Sequence, residues 1–319
     1  MRSRGVAALA LLAAATASSG APAAVRHHRA ASAVPETKSR ISADRLARLV
    51  REPMRLVQAG RRAEADAVFL KLLAAARARG KAGAVRAADL LTAYGVALYE
   101  EGEESDSGGA SAAIPWLEQA VTATRSAWGP SHPETALALQ NLADVIREVA
   151  PEAPGAEAEA ALREAYRIRV KALGPGNAET LYTLKSLGDV LSAGPETASP
   201  EAGRAAEAAE AYRHVIGARP AARDANAVEV KVIARLALAR LLARSGHLSD
   251  AVREVREAEQ TALSWRGGSS GRAMVCRAYA IGTWKVADAL EANGAADEAL
   301  KVSTRRDEGR SRCFDSLLP

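Results

Sequence analysis

Catalysis needs a nucleophile, an acid or base, or a metal held in a defined frame, and the sequence offers few candidates. Gly267-Gly268-Ser269-Ser270-Gly271 matches the G-x-S-x-G pattern that places a serine on a strained turn between a strand and a helix. Here a helical pattern ending near Trp265 precedes it and no strand-like segment surrounds it, so the stretch reads as a flexible loop between helices. The five histidines are scattered: His27 and His28 lie near the N-terminus, His132 in a Ser-His-Pro turn, and His214 and His247 on helices or at their starts. None has metal-ligand spacing or a nearby nucleophile, and His132 is expected to pack or cap at a helix start. Leu173 to Glu179, LGPGNAE, has no Lys-Ser or Lys-Thr to complete a phosphate-cradling loop. No catalytic residue, metal or cofactor is therefore expected, and a non-enzymatic role follows; Ser269 and His132 remain the weak candidates for an enzyme.

What does repeat is architecture. AWGPSHPETALALQNLADVI, from Ala127 to Ile146, returns 45 residues later as ALGPGNAETLYTLKSLGDVL, from Ala172 to Leu191. Gly-Pro, Glu-Thr and an Asp-Val recur in register, and a period of about 20 to 50 residues marks a repeat array. From Ile41 onward helical segments alternate in about six pairs. The first member of most pairs closes on glycine, at Gly60, Gly102, Gly194, Gly246 and Gly294, whereas the third ends at Ala150. Second members carry small-large-small faces at i, i+4, i+7: Ala65-Phe69-Leu72, Ala113-Leu117-Ala120, Ala158-Leu162-Ala165, Ala208-Tyr212-Val215 and Ala251-Val255-Ala258. In the sixth only Ala299 fits, with Ser303 and Arg306 polar, as suits a terminal repeat with no neighbour beyond it.

These residues carry a resemblance. GPSHPETALALQNLADVI, LGPGNAETLYTLKSLGDVL and HLSDAVREVREAEQTAL after LARLLARSG resemble tetratricopeptide repeats (TPR) of the longer kinesin-light-chain type. The resemblance runs from about Ile41 to Cys313 and is most specific between Ala113 and Leu263. It implies an all-α, right-handed solenoid whose first helices line a concave groove that takes a peptide or protein segment. On that implication the groove residues are Gln140, Asn141, Asp144 and Arg147 in the third pair, Tyr182, Lys185 and Asp189 in the fourth, Arg240 and Arg244 in the fifth, and Trp284 and Asp288 in the sixth. Asn141 matches a position that binds target backbone in some repeats of the family. Three departures stand out: Pro53 falls inside the first helix, where it would delay or kink it; the acidic run Glu100 to Gly109 lengthens the turn of the second pair; and no heptad-rich coiled coil is present, so motor binding is not implied.

Composition agrees with close-packed helices. Of 319 residues 48% are apolar but only 4% aromatic, so much of the apolar content is alanine, the best helix former. Net charge is +5 with pI near 9.3, yet acidic and basic residues alternate along helical segments and no aromatics interleave with the basic ones, which argues against nucleic acid. No apolar run reaches the 18 or more residues of a membrane span.

The N-terminus has the three-part layout of a secretory signal peptide: Arg2 and Arg4, an uncharged run from Gly5 to Ala17, then Ala15-Thr16-Ala17 and Ala21-Pro22-Ala23 as cleavage sites. The expected organisation is thus a signal peptide (1–23), a linker (24–40), repeats (41–313) and a short tail (314–319) in a periplasmic or secreted protein. In such a compartment Cys276 and Cys313 could form a disulfide, or be one buried and one exposed thiol. Alanine and arginine usage suggests a bacterial source. Self-association of a structural envelope protein is the rival to a binding scaffold.

Overall fold

A computed structural model describes residues 41–104, 109–150, 154–195, 201–219, 224–265 and 268–315. The expected signal peptide, linker and last four residues lie outside them. Among the described residues there are twelve α-helices and no strand, in two compact units divided at Ala150 and Pro151.

Unit 1 holds α1 (Ala43–Gln58), α2 (Arg62–Arg77), α3 (Gly80–Glu104), α4 (Gly109–Trp128) and α5 (Pro133–Val149). Consecutive helices pack against each other, and α1, α3 and α5 also meet in that order, giving two layers. Its core is anchored by three rings. Phe69 stacks on Tyr94 at 4.1 Å between centroids, and Trp116 meets both edge-on at 5.2 and 5.3 Å. The Tyr94 hydroxyl donates to Asp66 at 2.8 Å, and Arg62 pairs with the same carboxylate at 3.0 Å, so the phenol's polar tip is satisfied.

Unit 2 holds α6 (Gly155–Leu173), α7 (Ala178–Leu191), α8 (Ala202–Gly217), α9 (Ala225–Arg244), α10 (Leu248–Leu263), α11 (Ser269–Ala292) and α12 (Ala296–Asp315). Here α7, α9 and α11 are adjacent in one layer, with α8, α10 and α12 as their hairpin partners. Small residues set the spacing. A side-chain carbon at Gly282 of α11 would lie 2.5 Å from Leu236 of α9, and one at Gly188 of α7 would lie 2.6 Å from the Tyr212 ring of α8.

The 45-residue recurrence corresponds to matched helix starts. His132 caps α5 by accepting from the Glu134 N–H at 3.2 Å, and Asn177 caps α7 by accepting from the Glu179 N–H at 2.9 Å. His132 also stacks on Trp128 at 4.6 Å, so it both caps and packs. The glycine stops are equally specific. Gly246 sits at φ +77°, and His247 donates to the Leu242 carbonyl at 2.9 Å in the six-to-one closure of a helix end. α1 and α11 close the same way, through Arg61 to Leu56 and Ala295 to Leu290.

Several expectations are corrected in detail. Ser269 is not in a loop: with Ser270 and Gly271 it forms the first turn of α11, and among the described residues no strand precedes it. Pro53 does not delay α1, which runs through it from Ala43 to Gln58. The acidic run is partly helical, because α3 continues to Glu104 before residues 105–108, which are outside the description. In α2 the residue that completes the buried face is Leu73, with Leu72 half-buried. The other four small-large-small faces are buried as expected. α12 extends to Asp315, so the expected tail begins inside a helix.

Candidate partner-binding face

The eleven residues expected to line a groove fall into two groups, one in each unit. In unit 1 they are all on α5 and largely closed to solvent: Gln140, Asn141 and Asp144 are 2%, 6% and 3% exposed. Gln140 donates to Asp144 at 3.1 Å, and Arg147 lies 3.8 Å from Asp144 and 3.0 Å from Glu148. The polar residues of α5 thus serve each other inside the packing. Asn141, the position singled out from the resemblance, is buried rather than displayed, and its Nδ2 has no hydrogen-bond partner among the described residues.

In unit 2 the remaining seven are on the adjacent helices α7, α9 and α11. Lys185 and Asp189, one turn apart on α7, pair at 2.6 Å, and the Lys185 ammonium lies 5.9 Å from the Tyr182 ring centroid. The other oxygen of Asp189 accepts from the Tyr212 hydroxyl at 2.9 Å, and that hydroxyl lies 3.0 Å from Ser192 Oγ. Arg244 reaches back from α9 to the Ser192 carbonyl at 2.6 Å. Burial holds its guanidinium below the ordinary arginine range, with Tyr212 acting in the other direction. A polar chain therefore runs from α7 through α8 to α9, and its members are committed to holding the helices.

The third helix differs. Asp288 on α11 is pushed above the ordinary carboxylate range by burial and then by Glu291, while Arg306 and Arg240 pull it back. One turn before it, Trp284 is 54% exposed. Of the eleven residues it alone is fully on the surface; Arg147, Tyr182, Lys185, Asp189, Arg240 and Asp288 are half-buried. The arrangement offers a polar, pre-ordered surface with one projecting indole. Among the described residues no group of three or more His, Cys, Asp or Glu could hold a metal.

One feature has no signal in the sequence: a cleft of 290 Å³ lined by Pro154, Gly155, Ala156, Glu159, Val190, Ala193 and Arg204. Arg204 spans it, donating to Glu159 at 2.8 Å and to the Val190 carbonyl at 3.2 Å. Burial raises the Glu159 carboxyl, but hydrogen bonds from Arg204 and Arg163 outweigh it and hold the group below its usual range. Cys276, in the core of unit 2, is disulfide-bonded; the side chain of Cys313 lies outside the described residues.

The hairpins within unit 1 are α1–α2 and α3–α4, and those within unit 2 are α7–α8, α9–α10 and α11–α12. Two solved structures similar to the chain are described as a kinesin light chain from Podosopora anserina with nearly identical TPR-like repeats and a single-residue variant of it. The variant aligns with TM-score 0.49 and 16% identity over 70% of this chain and 95% of its own. The parent aligns with TM-score 0.48 and 17% identity over 70% and 94%. No family model and no curated protein matches the chain.

Proposed function

We propose that the protein is an exported, non-catalytic interaction scaffold whose α7, α9 and α11 face in unit 2 receives a peptide or protein segment. The observation that carries this is Trp284: a large indole left 54% exposed on α11, one turn from the half-buried Asp288. Exposed aromatics at the centre of ordered surfaces are where binding energy concentrates, and a pre-ordered platform loses little entropy on binding. Export is supported by the N-terminal layout and by the disulfide at Cys276, which calls for an oxidising compartment.

The test is capture on immobilised full-length protein from an envelope fraction, followed by calorimetry with the captured segment against the parent and Trp284→Ala. The variant should bind at least tenfold more weakly, about 1.4 kcal/mol. Equal affinity would remove the face from consideration. Self-association is the second reading, favoured by Leu300 on α12, which is 68% exposed. A mass in solution that rises with protein concentration and falls on Leu300→Glu would establish it.

A further inference from the structure

We propose that the first helices of unit 1 form an electrostatic docking surface for an anionic phospholipid bilayer. This is independent of the partner-binding face in unit 2.

The modest net charge of the chain conceals a strong partition. Residues 41–86 carry eleven Lys and Arg against four Asp and Glu, a net +7, whereas residues 87–319 carry 26 against 33, a net −7. The excess is on the surface. Arg45, Arg48, Arg51 and Arg55 are exposed along α1, and Lys71, Arg77, Arg79 and Lys81 are exposed along the second half of α2 and the start of α3. None of these eight makes an ion pair with a described residue, and from Ala67 to Ala88 there is no carboxylate at all. Of the four carboxylates in residues 41–86, Glu64 is engaged by Arg61 at 2.6 Å and Asp66 by Arg62 at 3.0 Å, which leaves Asp44 and Glu52 on α1 against its four exposed arginines.

Fold stability accounts for only part of this pattern: Arg55 and Arg77, in the last turns of α1 and α2, suit the helix dipole. Lys81 at the start of α3 stands at the positive end of the helix dipole, where an anion would be favoured, and the first turn of α3 has no acidic residue. Like charges clustered in this way repel one another, a cost that an anionic surface would relieve.

Three observations select a bilayer among anionic partners. The cations are spread along about 15 Å of α1 and across the α2–α3 turn, which matches a sheet of headgroup phosphates better than one extended strand. Leu70 is 49% exposed directly beside Lys71, providing an aliphatic contact at the acyl boundary. No exposed aromatic accompanies the patch: Phe69 and Tyr94 are fully buried in the ring cluster, so single-stranded bases have nothing to stack on.

The experiment is cosedimentation of the full chain with vesicles of pure phosphatidylcholine or of phosphatidylcholine with phosphatidylglycerol. Binding should require the anionic lipid and disappear as the salt is raised toward 0.5 M, a concentration chosen because the screening length falls to a few ångströms near 1 M. Changing Lys71, Arg77, Arg79 and Lys81 together to Gln should weaken it at least about tenfold. An independent variant with Arg45, Arg48, Arg51 and Arg55 changed to Gln should show the same loss. A control that removes Lys171, Arg213, Arg256 and Arg277, all exposed in unit 2, should bind as the parent does. Equal weakening by patch and control variants, or parent-like binding by both patch variants, would overturn the proposal. So would a parent that ignores anionic vesicles and is retained on duplex DNA or polyglutamate.

Discussion

Tyr94 and Gly188 show how single residues set the packing. Burial, the hydrogen bond to Asp66 and the charge of Asp66 together hold the Tyr94 phenol well above its ordinary value of 10.0. In the unfolded chain the phenol ionises near pH 10, while in the fold it stays protonated, so the folded state binds more protons. The stability this group contributes is complete below pH 10 and declines as pH rises beyond it. Tyr94→Phe should flatten the alkaline arm of a stability-against-pH curve measured by urea unfolding; an unchanged arm would place the alkaline sensitivity elsewhere. At Gly188 the usual sign of a helix substitution should reverse. Alanine in a helix interior is ordinarily favoured over glycine by about 1 kcal/mol, but here its methyl would meet Tyr212 at 2.6 Å. Gly188→Ala should therefore lower the unfolding free energy by about 1–3 kcal/mol, and a gain in stability would show that α7 and α8 can separate freely.

Among the elements, α1 is the one that violates its own rules. Pro53 removes the donor that would bond the Leu49 carbonyl and crowds that oxygen with its ring, yet α1 continues to Gln58. The helix survives because Leu46, Ala47, Val50 and Met54 bury one face against α2 and α3. Pro53→Ala should raise the denaturation midpoint, by about 1–3 kcal/mol in stability; a fall would mean the buried proline ring contributes more by packing than it costs in backbone. Several helix ends were legible in the sequence because they rest on local signals, the starts at His132 and Asn177 and the stop at Gly246. What failed depended on neighbours. Leu72 and Leu73 sit side by side in sequence about 100° apart around the helix, and only the position of α1 and α3 decides which is enclosed. Gln140, Asn141 and Asp144 look like a solvated stripe on an isolated α5, but the surrounding packing encloses them. Ser269 looked loop-bound because Gly267, Gly268 and Gly271 flank it, although an uncapped helix start tolerates them.

At the scale of the whole molecule, an average concealed what the distribution shows. A net charge of +5 reads as an ordinary soluble surface, and the basic first hairpin emerges only when charge is counted segment by segment. The disulfide acts at this scale as well. If Cys276 is joined to Cys313, a non-reduced digest should yield one cross-linked peptide pair that separates on reduction; two unlinked peptides would exclude that pairing. The four tryptophans, finally, are divided evenly, Trp116 and Trp128 in unit 1 and Trp265 and Trp284 in unit 2. Only Trp284 is strongly exposed, Trp265 being 9% exposed and the other two half-buried. The protein therefore carries its own optical reporter: collisional quenching of its fluorescence monitors one indole above a protected background, and anything that settles over α11 changes that signal without a dye or label.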